Sequence, residues 1–238
     1  MSPRRPRSSW SDEQLTYAWQ SASLLLGYPD EQLLDRDLPV VRAAAAALPA
    51  ELGAPLTRVA DGLAGQPLEV SQADYVETFD SRRRCNLFLT YFAHGDTRKR
   101  GVALLRFKQT YLRSGYVLEE AGGELPDHLC VVLEYAATVD LDRGRDLLLD
   151  HRAGLELLRM ALRDDDSIWA GALETVCATL PPLRGDEREA VVRLAAEGPP
   201  AEEVGMTPYG TPAFDALLTA TGAGPTDLPM PSLKGAQG

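Results

Sequence analysis

Cysteine and histidine are scarce in this chain, and long apolar runs do not occur. The three cysteines, Cys85, Cys130 and Cys177, are odd in number, far apart and never in a Cys-x-x-Cys pair. That excludes a disulfide framework and a zinc site of the usual spacing. Each lies in an apolar stretch and reads as a small core side chain, in keeping with a reduced cytoplasmic compartment. His94, His128 and His151 have no metal-ligand spacing. No segment approaches the ~18 apolar residues of a membrane span. Arg4-Arg5 stands near the start, but polar Ser8-Ser9-Trp10-Ser11-Asp12-Glu13 follows, so the apolar region of a secretory or twin-arginine signal is missing. Enzyme signatures are absent too: no phosphate loop, dinucleotide fingerprint, nucleophile elbow or His-Glu-x-x-His. Asp164-Asp165-Asp166 points its side chains in three directions and reads as a solvated acidic turn.

What is present is acid, alanine and leucine. The 238 residues carry a net charge of −11, which opposes general nucleic-acid binding and suits a cationic partner. The charge is uneven. Residues 82–113 hold nine Lys or Arg against one acid, a segment at +8 that leaves −19 for the remainder. Alternating apolar and polar runs are nearly absent, and helical periods dominate. The composition and spacing predict an all-α, single-domain helical bundle of roughly eight to ten helices. A disordered basic arm is expected over 1–10, the helical domain over 11–197, and a Pro/Gly-rich tail over 198–238, mobile or draped on the domain.

Within the domain, Ser11 and Gln14 form a capping box for a helix ending at Gly27, with Leu15, Trp19, Ala22 and Leu26 as its stripe. Helices follow over 39–48 and 55–63. Ser71 is expected to cap a helix through Phe79, and a second helix runs from Arg82 to Ala93. Gly95-Asp96 breaks it, and Asp96 or Thr97 caps a third helix to about Ser114. On that third helix Leu104, Leu105, Phe107, Tyr111 and Leu112 share one side. Arg98, Lys99, Arg106 and Arg113 share the other, and Arg100 and Lys108 must snorkel or pair. Pro126 is expected to open the next helix, followed by helical stripes over 145–162, from the Ser167 cap through Leu180, and over 186–197.

Two segments concentrate the chemistry. Tyr75-Val76-Glu77-Thr78-Phe79-Asp80 places two rings at i and i+4 with carboxylates beside them, which reads either as core or as a groove for a cationic amphipathic helix. Glu124-Leu125-Pro126-Asp127-His128 puts an acid and a histidine at a helix start, either as capping or as a small polar site.

Together these segments resemble the respiratory nitrate reductase assembly chaperones of the NarJ or delta-subunit type, within the TorD/DmsD-like family of redox-enzyme maturation proteins. The resembling blocks are Tyr75–Asp80, Arg82-Arg83-Arg84, Leu87-Phe88-Leu89-Thr90-Tyr91, Gly95–Gly101, Glu124–Leu129 and Leu133-Glu134-Tyr135-Ala136, within about residues 12–180. The resemblance implies a helical, non-enzymatic chaperone without a cofactor of its own. It implies binding to the N-terminal peptide of the apo catalytic subunit of nitrate reductase during molybdenum cofactor insertion and iron–sulfur maturation. Carried onto this chain, Tyr75, Phe79 and Asp80 line or support the peptide groove. Asp127 and His128 form its polar end, and Glu124 adds charge. Arg82, Arg83, Asp96 and Arg98 are assigned to internal pairing. The expected state is a monomer or a domain-swapped dimer, and pH-dependent binding is expected if His128 touches the peptide. Three other readings stay open: a sibling chaperone for another molybdoenzyme, a helical enzyme using Asp127 and His128, and a nucleic-acid adaptor built on Arg98, Arg106 and Arg113.

Overall fold

The structure, a computed structural model, describes residues 9–95, 97–118 and 124–198. Eleven helices occupy them: α1 (Asp12–Leu25), α2 (Leu38–Ala47), α3 (Ala50–Ala64), α4 (Leu68–Tyr75), α5 (Leu89–His94), α6 (Arg98–Arg113), α7 (Leu129–Thr138), α8 (Leu141–Asp150), α9 (Arg152–Asp164), α10 (Ala170–Thr179) and α11 (Gly185–Glu197). Wider π-helical turns precede α2 at Leu33–Asp37 and continue α4 at Val76–Asp80. No strand occurs among the described residues, where Phe88 and His128 form an isolated antiparallel bridge. The expected arm and tail fall almost wholly outside the described residues, as does Asp96.

The core follows the apolar stripes. Leu15, Trp19, Ala22 and Leu26 of the first helix and its cap are buried, and so are Trp169, Ala172, Leu173, Val176 and Leu180. The Ser11 hydroxyl accepts from Gln14 N at 3.2 Å, and the Gln14 side chain accepts from Ser11 N at 2.9 Å, which satisfies two otherwise orphaned donors. Trp19 Nε1 donates to Thr179 Oγ1 at 2.9 Å and ties α1 to α10. Helices α7 and α8 meet closely because Gly144 has no side chain: a Cβ there would lie 2.2 Å from Ala136 Cβ.

Several boundaries differ from expectation, each for a local reason. Helix α4 starts at Leu68 after Pro67, because proline pre-sets the helical entry. Ser71 is therefore interior, buried, and accepts from Gln66 Nε2 at 2.9 Å. The stretch from Arg82 to Ala93 is not one helix. A 3-10 turn spans Arg83–Cys85. The Asn86 side chain then accepts from Phe88 N at 2.7 Å, a local bond that competes with helix. Gly95, at φ 55, ends α5 in a conformation glycine tolerates. Pro126 and Asp127 stand in a turn, and α7 begins two residues later. The 145–162 stripe belongs to two helices that break at His151, whose Nδ1 lies 2.9 Å from Leu147 O.

Helix α6 departs most from its expected orientation. It buries Phe107 and Tyr111, while Leu105 and Leu112 stand 56% and 60% exposed. The two rings turn inward, Phe107 against His151 and Tyr111 against Tyr116 and Tyr135, and the helix rotates to suit them.

Candidate functional site

The second motif block is built around a buried carboxylate. Asp127 is 0% exposed. Its Oδ2 accepts from Thr90 N at 3.2 Å and from Thr90 Oγ1. Thr90 lies in the first turn of α5, whose preceding residue Phe88 offers no side-chain cap. Asp127 therefore caps α5 from across the fold, satisfying a donor that the helix cannot satisfy itself. Arg100, reaching over from α6, donates through Nε to Thr90 Oγ1 at 3.2 Å, and its Nη2 lies 3.8 Å from Asp127 Oδ2. The guanidinium also stands 5.2 Å from the centre of the Phe88 ring, a cation–π distance. Two backbone bonds complete the join: Leu89 N donates to Asp127 O at 3.0 Å, and Leu129 N donates to Leu87 O at 2.9 Å.

His128 is 7% exposed, and its ring meets Phe88 edge-on at 5.1 Å. Burial pushes its pKa below the usual histidine value, against the opposing pull of Glu124 and Asp127. Nδ1 of this ring has no hydrogen-bond partner among the described residues. Asp127 and His128 thus serve the join between α5, α6 and α7 rather than an open polar surface.

Tyr75 and Phe79 are also inward, 7% and 6% exposed. With Trp169 they form a ring cluster at centroid distances of 4.7, 5.6 and 5.3 Å. The Tyr75 hydroxyl donates to Leu26 O at 3.0 Å. An open aromatic face is therefore not what these rings present; they are packed into the core. The two acids are outward. Asp80 and Glu124 are both exposed. They stand near enough to Tyr75 to add to the effect of burial, which raises the phenol pKa most, and Cys130 acts in the same sense. Exposed Tyr28, missed by the motif reading, packs its ring on Tyr75 at 5.4 Å. Exposed Leu125 follows Glu124 directly, and exposed Val76 lies four residues before Asp80.

The arginines divide. Arg82 bridges Glu77 at 3.2 Å and Asp165 at 2.9 Å, and Arg84 also pairs with Asp165. Asp165 is thus an anchor for the connection, where the sequence suggested only a solvated turn. Arg83 is exposed with no ion pair among the described residues, and Arg98 is exposed at the start of α6. A cavity of about 200 Å³ is lined by Asp74, Glu77, Thr78, Arg82, Asp165 and Trp169, among others. No group of three His, Cys, Asp or Glu among the described residues is placed to hold a metal ion. No helix among them is long and apolar enough to cross a membrane. The cysteines are unpaired, and burial pushes the Cys177 thiol up to about 12.

This is an all-helical protein whose buried polar cluster fastens α5, α6 and the start of α7 together. The family model for the nitrate reductase delta subunit matches residues 45–174, more than half the chain. The chain belongs to that family. It is 42% identical over 168 residues to the nitrate reductase-like protein NarX of Mycobacterium tuberculosis, a match covering 68% of this chain and 24% of NarX. The chain thus spans about a quarter of that relative. It is 34% identical over 175 residues to the Bacillus subtilis NarJ, across 71% of this chain and 90% of the relative. It is 35% identical over 151 residues to the Escherichia coli nitrate reductase molybdenum cofactor assembly chaperone NarJ, across 62% and 63%. A redox enzyme maturation protein from Archaeoglobus fulgidus overlays 81% of this chain and 98% of its own, at a TM-score of 0.47 and 23% identity.

Proposed function

We propose that this protein is an assembly chaperone, not an enzyme, for a nitrate reductase. In this reading it binds the N-terminal peptide of the apo catalytic subunit and keeps that subunit competent for molybdenum cofactor insertion. Membership of the nitrate reductase delta-subunit family is the observation that carries the reading, and Asp80 and Glu124 are exposed acids available to a cationic partner. Exposed Asp80 and Glu124, with exposed Val76 and Leu125 on the same two segments, suit an amphipathic helix with cationic residues along its apolar edge. The names of the NarJ relatives support the same client class. Asp80 and Glu124 touch the peptide; Tyr75, Phe79, Asp127 and His128 hold the wall behind it.

Calorimetric titration with the N-terminal peptide of the catalytic subunit tests this. Binding in the micromolar range is expected, and Asp80→Lys with Glu124→Lys weakens it about tenfold or more, since each reversal replaces an attraction with a repulsion. No heat at peptide concentrations of about 100 µM would remove the client assignment. Unchanged affinity in the double variant would remove the surface. Tight binding of another molybdoenzyme's peptide in preference would reassign the client.

A further inference from the structure

Helix α6 carries an apolar seam that nothing in the described molecule covers. Val102, Leu105 and Leu112 are 59%, 56% and 60% exposed. At ~100° per residue they lie on one face, opposite the buried Phe107 and Tyr111. Exposed Lys99, Arg106 and Arg113 flank that seam and make no ion pair among the described residues. The helix contains no acid. An uncovered aliphatic row edged with cations marks an interaction surface for an anionic, apolar partner.

The matching surface exists on the same chain. The outward face of α4 and its π-helical extension presents Val70 and Val76 with Glu69, Asp74 and Asp80, while Glu77 on the same face is already paired with Arg82. Three acids and two valines there complement three cations and three aliphatic side chains on α6. Both faces run about 15 Å, the helical rise of some ten residues. Each is exposed, so neither covers the other within one molecule. Elsewhere the net charge of −11 makes two copies repel, and the α6 cations offer a second copy a complement.

We propose that α6 of one copy docks on the α4 face of a second copy. In a two-fold pair the contact is used twice, residue for residue. It would occupy the acidic face that receives the client in the reading above, but it does not depend on that reading, because the test contains no client.

Sedimentation velocity on the full chain, from about 10 to 200 µM, should show a monomer passing to a dimer. Arg106→Glu with Arg113→Glu should weaken the association about tenfold, and Glu69→Lys with Asp74→Lys should do the same. Mixing the two double variants should restore a dimer, because each reversed face then meets its reversed complement. Circular dichroism confirms that both variants remain helical. A wild-type chain that stays monomeric throughout overturns the proposal. So does association that ignores the α6 reversals, or a mixture that fails to recover.

Discussion

Replacing Asp127 with alanine should reveal how much of the domain rests on one carboxylate. The side chain is fully buried and accepts from both the backbone N–H and the hydroxyl of Thr90. Its loss removes the only side-chain cap on α5 among the described contacts, worth about 1 kcal/mol. It also strands a buried N–H without an acceptor, at about 1–3 kcal/mol. Arg100, 3.8 Å away, loses a counter-charge, and breaking such a buried arrangement costs about 3–5 kcal/mol in all. Asp127→Asn keeps the shape and a neutral acceptor, so about 1–2 kcal/mol is expected. Urea unfolding followed by far-ultraviolet circular dichroism measures both at constant m-value. For a domain of this size the alanine variant should melt roughly 10 °C lower. A loss below about 1 kcal/mol for Asp127→Ala would refute the capping argument. An asparagine variant weaker than alanine would refute it equally.

Other expectations follow from the same packing. The pKa values of His128 and His151 are both lowered, chiefly by burial. The folded state then binds fewer protons than the unfolded chain, so stability present above the ordinary histidine value declines as pH falls below it toward the depressed folded values. Urea midpoints at pH 7.5 and 5.5 should show the decline, and His128→Gln with His151→Gln should flatten it; an equal decline in that variant would place the protons elsewhere. Gly144→Ala should cost about 1–3 kcal/mol or more, because its Cβ would fall 2.2 Å from Ala136 Cβ. Gly101→Ala on exposed α6 meets nothing within 4 Å and should instead stabilise by up to about 1 kcal/mol. Thermal melts of the pair should move in opposite directions.

The legible parts of the sequence were those governed by neighbours a few residues away. The Ser11–Gln14 box, the break at Gly95 and the stripes of α1 and α10 follow from helical period and local hydrogen bonds. The illegible parts depend on distant partners. By sequence Asp127 suits either the start of its own helix or a small polar site, but it caps α5, 37 residues away in sequence. Its acceptor role there could not be seen without the fold. Arg100 was the exception. Its place in the apolar sector of α6 signalled that it needed a partner, and Thr90 and Asp127 supply one. The rings of Tyr75 and Phe79 looked equally suited to a floor or a face. Trp169, from α10's cap, decides for the floor. For α6, period alone could not choose between rotating Leu105 and Leu112 or the two rings inward. The neighbours Tyr116, Tyr135 and His151 made the choice.

The bond between Thr90 and Asp127 also orders events during synthesis. Helix α5 has only six residues, far short of the length at which an isolated helix persists in water. Its cap is contributed by a residue that leaves the ribosome 37 positions later. Until Asp127 emerges, α5 lacks its cap and Arg100 lacks the Thr90–Asp127 contact that anchors it. The nascent chain therefore passes through an interval in which its most cationic segment is made but not yet docked. That interval closes only when the start of α7 is in place.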